Sequence, residues 1–329
     1  MGTFLATLTP MLTLFTCIAI GFVMAKTKIL PESASKTIAK METWIFFPAL
    51  SFTTMMRNCT VASLSTHGIN MIMAGISVSV AMLIAIPLSK VFVKENTPER
   101  GVYRYALAFA NSGYIGDPIV LAMFGEAVLA YYKLFCLPLS IVIYTWGISV
   151  LTPQGSGKGA GFKRLLNAPT IAMLLGILMG LSGLGTHMPT FLVSALDSLK
   201  ACMGPTAMLL AGVTIARFDF FGMLKMKKVY FATALRLVFI PAVLIAVLFG
   251  VKTLANSLFG LSIDNNVLFL CFFATAAPLG LNTVVFPEAY GGNPETGASM
   301  ALISHTLCVI SIPLMYALMV ALFGVPFGA

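Results

Sequence analysis

The stretches FANSGYIGDPIV (109–120) and FFATAAPLGLNTVVF (272–286) decide the fold. Each sets Gly, Pro and Asn in the middle of a run otherwise apolar enough to be a helix in lipid. Proline removes a backbone hydrogen bond and clashes with the preceding turn, and glycine relaxes the chain further. A helix broken at membrane depth is tolerated only where protein or a wet cavity surrounds the bared backbone. The break also frees amide donors at the start of the second half-helix, where the dipole favours an anion. Two such segments predict a crossover of broken helices around a small polar site.

Composition names the solvent. Of 329 residues, 59% are hydrophobic and 9% charged, with a mean hydropathy of +0.96. Soluble domains carry about 25% charged residues, so this chain cannot cover a globule in water. Roughly 20 apolar residues cross a bilayer core. Ten apolar segments can be read, at 6–25, 36–56, 69–93, 102–126, 130–152, 166–184, 190–216, 229–250, 265–289 and 297–323. None alternates with the period of a barrel strand, so they are expected as helices. A disordered chain, a disulfide scaffold and a large soluble catalytic domain are excluded. The six cysteines are scattered without zinc-ligand spacing. No nucleophile–base pair, phosphate loop or metal cluster stands out, so neither an enzyme nor a cofactor is expected.

Charge placement carries topology rather than a nucleic-acid footprint. Fifteen of the 20 Lys and Arg fall in loops after odd-numbered segments. Three, Arg57, Lys133 and Lys252, fall to the even-numbered loops. The positive-inside rule then puts both termini outside the cytoplasm. The polar stretch PQGSGKGAGFKRL (153–165) reads as a cytoplasmic linker between halves 1–152 and 166–329.

The halves share a proline pattern. Pro48 answers Pro205, Pro87 answers Pro241, Pro118 answers Pro278, and Pro138 answers Pro313. Five segments per half is an odd number, so the second copy enters the membrane upside down, an arrangement typical of secondary transporters. The breaks in the fourth and ninth segments would then meet near the midplane.

Several polar residues are candidates there. Asn111 and Asn282 offer amide donors and an acceptor, enough to hold a carboxylate without burying a protein charge. Ser112, Gly113, Gly116, Pro118, Pro278, Gly280 and Thr283 complete the expected substrate-binding set, although membrane hydroxyls commonly bond their own backbone. Asn282 equally suits a hydrogen bond closing the break. Asp117 is an ionisable group inside the break, a functional hypothesis by default, and a carrier for a coupling proton or sodium ion. Ahead of Pro118 it also reads as an N-cap. A carboxylate there competes with an anionic guest unless it is protonated or paired with a cation. His305 is a second coupling candidate, against a packing role. Asp197 and Lys200, one turn apart, read as a local ion pair; Glu42 and Arg236 read as anchors near the cytoplasmic ends of their segments.

The sequence resembles the auxin efflux carrier family, which includes plant PIN-formed proteins and bacterial malate and malonate permeases. The matching stretches are WIFFPALSF (44–52), FANSGYIGDPIVLAMFG (109–125), LNAPTIAMLLGILMG (166–180), MGPTAMLLAGVTIA (203–216), RLVFIPAVL (236–244), FFATAAPLGLNTVVFPEAYG (272–291) and SMALISHTLCVISIPL (299–314). The resemblance implies ten helices in two inverted repeats, the arrangement of sodium/proton antiporters. It implies a scaffold of segments 1, 2, 6 and 7, a moving domain of segments 3–5 and 8–10, and a homodimer. The short central loop is similar to that of bacterial members, implying a bacterial inner membrane. Asp117 departs from the apolar or aromatic residue of the family pattern.

The function expected is secondary transport of a small organic anion such as malate, malonate or an auxin-like acid, by elevator-type alternating access. Rival readings are a cation/proton antiporter centred on Asp117 and a membrane receptor that binds the anion without moving it.

Overall fold

The computed structural model describes residues 2–61, 64–151, 168–280, 282–283 and 294–328. The linker expected at 153–165, and the 265–289 segment beyond Thr283, lie outside the described residues. Among the described residues there is no β-strand, only one isolated bridge. The chain opens with α1 (Gly2–Lys26), α2 (Ala34–Met41), α3 (Phe47–Asn58) and α4 (Leu64–Phe92). α5 (Pro98–Ala108), α6 (Asp117–Val142) and α7 (Ile148–Leu151) follow. The second half holds α8 (Ala168–Ser182), α9 (Thr190–Ala216), α10 (Phe220–Leu224), α11 (Lys227–Ala234), α12 (Ile240–Phe259), α13 (Asn266–Ala276) and α14 (Pro294–Phe323).

Among the described residues, five helical stretches have the length and apolar composition of a membrane crossing: Gly68–Phe92, Asp117–Val142, Thr190–Ala216, Lys227–Phe259 and Glu295–Phe323. Their outer faces fit that solvent. Leu83 is 72% exposed and Phe191 and Phe259 are each 75% exposed, surface that water would not tolerate and lipid does.

Asp117–Val142 is not a single rod. Its Asp117 and Lys133 side chains touch at 2.6 Å although they are 16 residues apart. A straight helix would separate them by about 24 Å. The chain turns back at Gly125, whose φ of 80° and ψ of −175° lie in a region reserved for glycine. The legs before and after Gly125 therefore pack side by side.

Three prolines sit beside widened π-helical segments, at Glu42–Phe46, Ser112–Gly116 and Leu235–Phe239. The carbonyl four residues before each proline belongs to Trp44, Tyr114 or Leu237, the central residue of its π segment. Proline leaves that carbonyl without its usual partner, within the turn where the helix widens to the i→i+5 pattern. The bonds Phe47 N to Glu42 O, Gly116 N to Asn111 O and Ile240 N to Leu235 O show this spacing. The paired prolines are thus not equivalent locally. Pro48 and Pro241 each follow a π segment, whereas their counterparts Pro205 and Pro87 lie within continuous α-helix.

Most of the extensive helix contacts fall within two groups, with α1 also packing on α14 between them. In the first, α1 packs on α9, and α3 on α8 and α9. A side chain at Gly212 would meet the Ile18 carbonyl, and one at Gly180 the Cys59 carbonyl. These backbones touch, the usual device for membrane helix contacts. In the second group α4 packs on α5, α6 and α12, α12 on α13, and α11 on α14. Ends that the charge count assigns to one face also meet: Arg217 donates to Ser35 Oγ at 3.2 Å and Lys228 to Phe92 O at 2.9 Å. At the other face Asn265 donates to Phe323 O at 3.0 Å.

Candidate functional site

α5 is started by Thr97, whose side chain accepts from Arg100 N, followed by Pro98 at the first turn. It ends at Ala108, and Phe109 is extended at φ −125° and ψ 136°. α13 ends the same way, with Ala277 at φ −60° and ψ 151°. The two bared segments meet. Ala110 and Leu279 form an antiparallel bridge, and Asn111 N donates to Pro278 O at 2.7 Å. Leu279 N donates to Ser304 Oγ on α14 at 3.1 Å. Each break thereby supplies partners for backbone groups that lipid could not satisfy.

Arg236 holds the same junction. Its guanidinium donates to Thr275 O at 2.5 Å and to Leu107 O at 3.4 Å. Those carbonyls belong to the last turns of α13 and α5, where both helix dipoles are negative. One cation therefore caps two half-helices. The π segment Leu235–Phe239 carries it, and Arg236 is only 2% exposed. The expected interfacial anchor is instead a buried strut of the crossover.

Beside the junction is a cavity of about 80 Å³, lined by Asn111, Ser112, Gly113, Asp117, Lys133, Gly280 and Asn282, with Phe47 from α3 and Met173 from α8. Asn111 is 3% exposed. Asn282 Nδ2 donates to Tyr105 Oη at 2.8 Å, the closing bond its position allowed. Lys133 Nζ lies 2.6 Å from Asp117 Oδ2, and 4.6 Å from the Phe47 ring centroid. Helix contacts from both packing groups thus supply the walls.

The family described as membrane transport protein matches the chain over residues 6–161 and 156–316. The chain belongs to this family. It is the auxin efflux carrier family that the sequence motifs resemble. No curated protein matches the chain.

In this transporter the expected site residues divide. Asn111, Ser112, Gly113, Asp117, Gly280 and Asn282 come together at the cavity. Pro278 contributes its carbonyl to the junction, and Thr283 Oγ1 bonds its own backbone at Gly280 O, 2.9 Å away. Gly116 lies under the Tyr132 hydroxyl, which donates to Ser112 O at 3.0 Å and Phe273 O at 3.3 Å. Pro118 packs against Gly204 on α9, outside the crossover cavity. His305 is buried on α14, its Nδ1 2.6 Å from Ala301 O, and does not line the cavity.

Two readings inside the cavity are corrected. Asp117 is not an N-cap: the helical turn starts earlier, in the π segment, and no side chain caps α6. Its carboxylate pairs with Lys133 instead. Lys133, counted with the outer loops, is buried at 5% exposure. The signal for it was a lone lysine inside the apolar run of segment 5, opposite in sign to the lone aspartate of segment 4.

Asp197 and Lys200 do not pair with each other. Arg57 bonds Asp197 at 2.7 Å and approaches Glu126 at 3.5 Å, while Lys200 pairs with Glu126. This network joins α3, α9 and the Gly125 turn beside a second cavity of about 700 Å³. Glu42, also expected as an anchor, is fully buried, and neither carboxylate oxygen has a hydrogen-bond partner among the described residues.

Proposed function

We propose that this membrane transport protein is a secondary carrier of a small organic anion, held at the crossover by Asn111, Asn282 and the amides opening the half-helix after Asn111. The observation that carries this reading is the bridge between Ala110 and Leu279, with a polar cavity beside it. Size favours the smaller acids. A water needs about 10–15 Å³ on this measure, so 80 Å³ admits roughly half a dozen water-sized groups. That suits malonate or malate better than an indole acid. Ten crossings in two inverted five-helix repeats, both termini outside, and a homodimer in a bacterial inner membrane complete the reading. The two packing groups support a scaffold of α1–α3, α8 and α9, past which the remaining helices slide.

Flux in reconstituted vesicles tests it. Saturable uptake of labelled malonate or malate is expected, with Asn111→Ala lowering uptake at least about tenfold, as a lost hydrogen bond to a charged group implies. Cation flux without acid flux would favour an antiporter centred on Asp117. Saturable binding without flux would make the protein a receptor.

A further inference from the structure

The Asp117–Lys133 pair has no evident structural purpose. The side chains are 3% and 6% exposed and touch at 2.6 Å. A buried ion pair is a poor device for stability, because desolvating both charges offsets most of their attraction. Apolar residues would join the legs of α6 as well. What distinguishes this pair is that it lines the cavity, and that its two members are the only charged residues among the described lining.

A guest carboxylate offers Lys133 the same oxygen acceptors that Asp117 does. If the guest takes Lys133, Asp117 is left as an uncompensated buried charge, at a cost of several kcal/mol. Among the described residues nothing nearby replaces the lost cation. The other titratable groups facing Asp117 are the Tyr132 hydroxyl and the Cys136 thiol on its own returning leg. Phe47 and Ser51 from α3, Met173 from α8, and Gly280 and Asn282 from the second break carry no charge. Beyond Pro118, Arg57 and Lys200 are already paired with Asp197 and Glu126. A proton on Asp117 is the remaining way to offset the guest carboxylate that takes Lys133; the second carboxylate of a dicarboxylic guest lies against the Asn111 and Asn282 amides.

We propose that Lys133 is the cation that binds the substrate carboxylate, and that Asp117 is its resident counter-ion, displaced by the guest and protonated as it is released. This rests on the reading of the cavity as an anion site. The exchange balances: a Lys133 ammonium paired with the Asp117 carboxylate, plus one guest carboxylate and one proton, becomes the ammonium paired with the guest and a neutral Asp117 carboxyl. The bond formed is the O–H on Asp117; none is broken in the guest. Anion and proton therefore enter the site together, which makes the carrier a proton symporter.

The test uses the purified full-length chain in lipid nanodiscs, labelled malonate as probe, and a pH indicator in weak buffer. About one proton is expected to be taken up for each malonate bound. Lys133→Gln is expected to weaken binding at least about 100-fold, and Lys133→Arg to retain it within about tenfold. Asp117→Asn is expected to keep binding, lose proton uptake and show an affinity independent of pH. Should Lys133→Gln misfold around its stranded aspartate, Asp117→Asn/Lys133→Gln removes both charges and carries the same expected loss. Wild-type binding without proton uptake, or normal binding by either lysine-to-glutamine variant, would overturn the assignment while leaving the cavity an anion site. No binding of malonate, malate or any other small acid would overturn the site itself, and this assignment with it.

Discussion

Arg236 shows how much one side chain can decide in a medium without water. Two half-helices end inside the protein, each with carbonyls that no further turn will bond. The guanidinium reaches one from each, at Thr275 and Leu107. Its planar fork is suited to two acceptors at once, where an ammonium is a single point charge. Replacing it with Leu removes two charge-assisted bonds, worth about 1.5–3 kcal/mol each by general experience, and leaves two dipole ends facing each other. Arg236→Leu is expected to lower the midpoint of thermal unfolding in detergent markedly, and Arg236→Lys to recover part of the loss. A leucine variant as stable as the wild type would show that the carbonyls find other partners. Lys133 makes the opposite use of a buried cation, since it faces a cavity and its partner can be exchanged.

At the scale of elements, the hinge between the legs of α6 is a single glycine. With φ at 80° and ψ at −175°, Gly125 occupies a conformation that costs other residues about 1–3 kcal/mol. Gly125→Val is expected to destabilise the fold by that amount, and to loosen the contact between Asp117 and Lys133, which exists only because the chain doubles back. Hydrogen exchange at Tyr132 and Lys133 would report the loosening; unchanged protection would place the hinge elsewhere. The sequence made the break legible at Asn111 and Pro278, because Gly, Pro and Asn have backbone consequences that do not depend on neighbours. It also marked the second break and six of the cavity residues, Asn111, Ser112, Gly113, Asp117, Gly280 and Asn282. It could not show that Lys133 faces Asp117, or that Arg236 reaches both breaks. Those are long-range contacts, and a basic residue near the end of an apolar segment reads locally as a topology signal. The π segments lie between the two cases. Each proline announces an orphaned carbonyl, but whether the helix widens, as before Pro48, or continues, as around Pro205, is settled by packing.

For the whole molecule, elevator transport requires the two packing groups to slide past each other, and the seam between them supplies a direct test. On one side stands α9, with Gly204; on the other stands the first leg of α6, with Pro118. A Cβ built on Gly204 would lie 3.6 Å from Pro118 Cβ, within the 3.5–4.5 Å spacing of a disulfide. The charge network of Arg57, Glu126, Asp197 and Lys200 crosses the same seam and holds it in register. Its members other than Lys200 are about one-third exposed or more, so it contributes on the order of 1 kcal/mol at most and can yield during a transport cycle. A covalent bond cannot. In vesicles, Pro118→Cys/Gly204→Cys is expected to carry acid when reduced, to stop when oxidised, and to recover on adding reductant. The two single variants control for the native thiols and should not respond to oxidation. If the double variant moved acid at full rate while its disulfide was intact, the two groups would not slide at this seam, and transport would have to proceed by a smaller motion around the crossover itself.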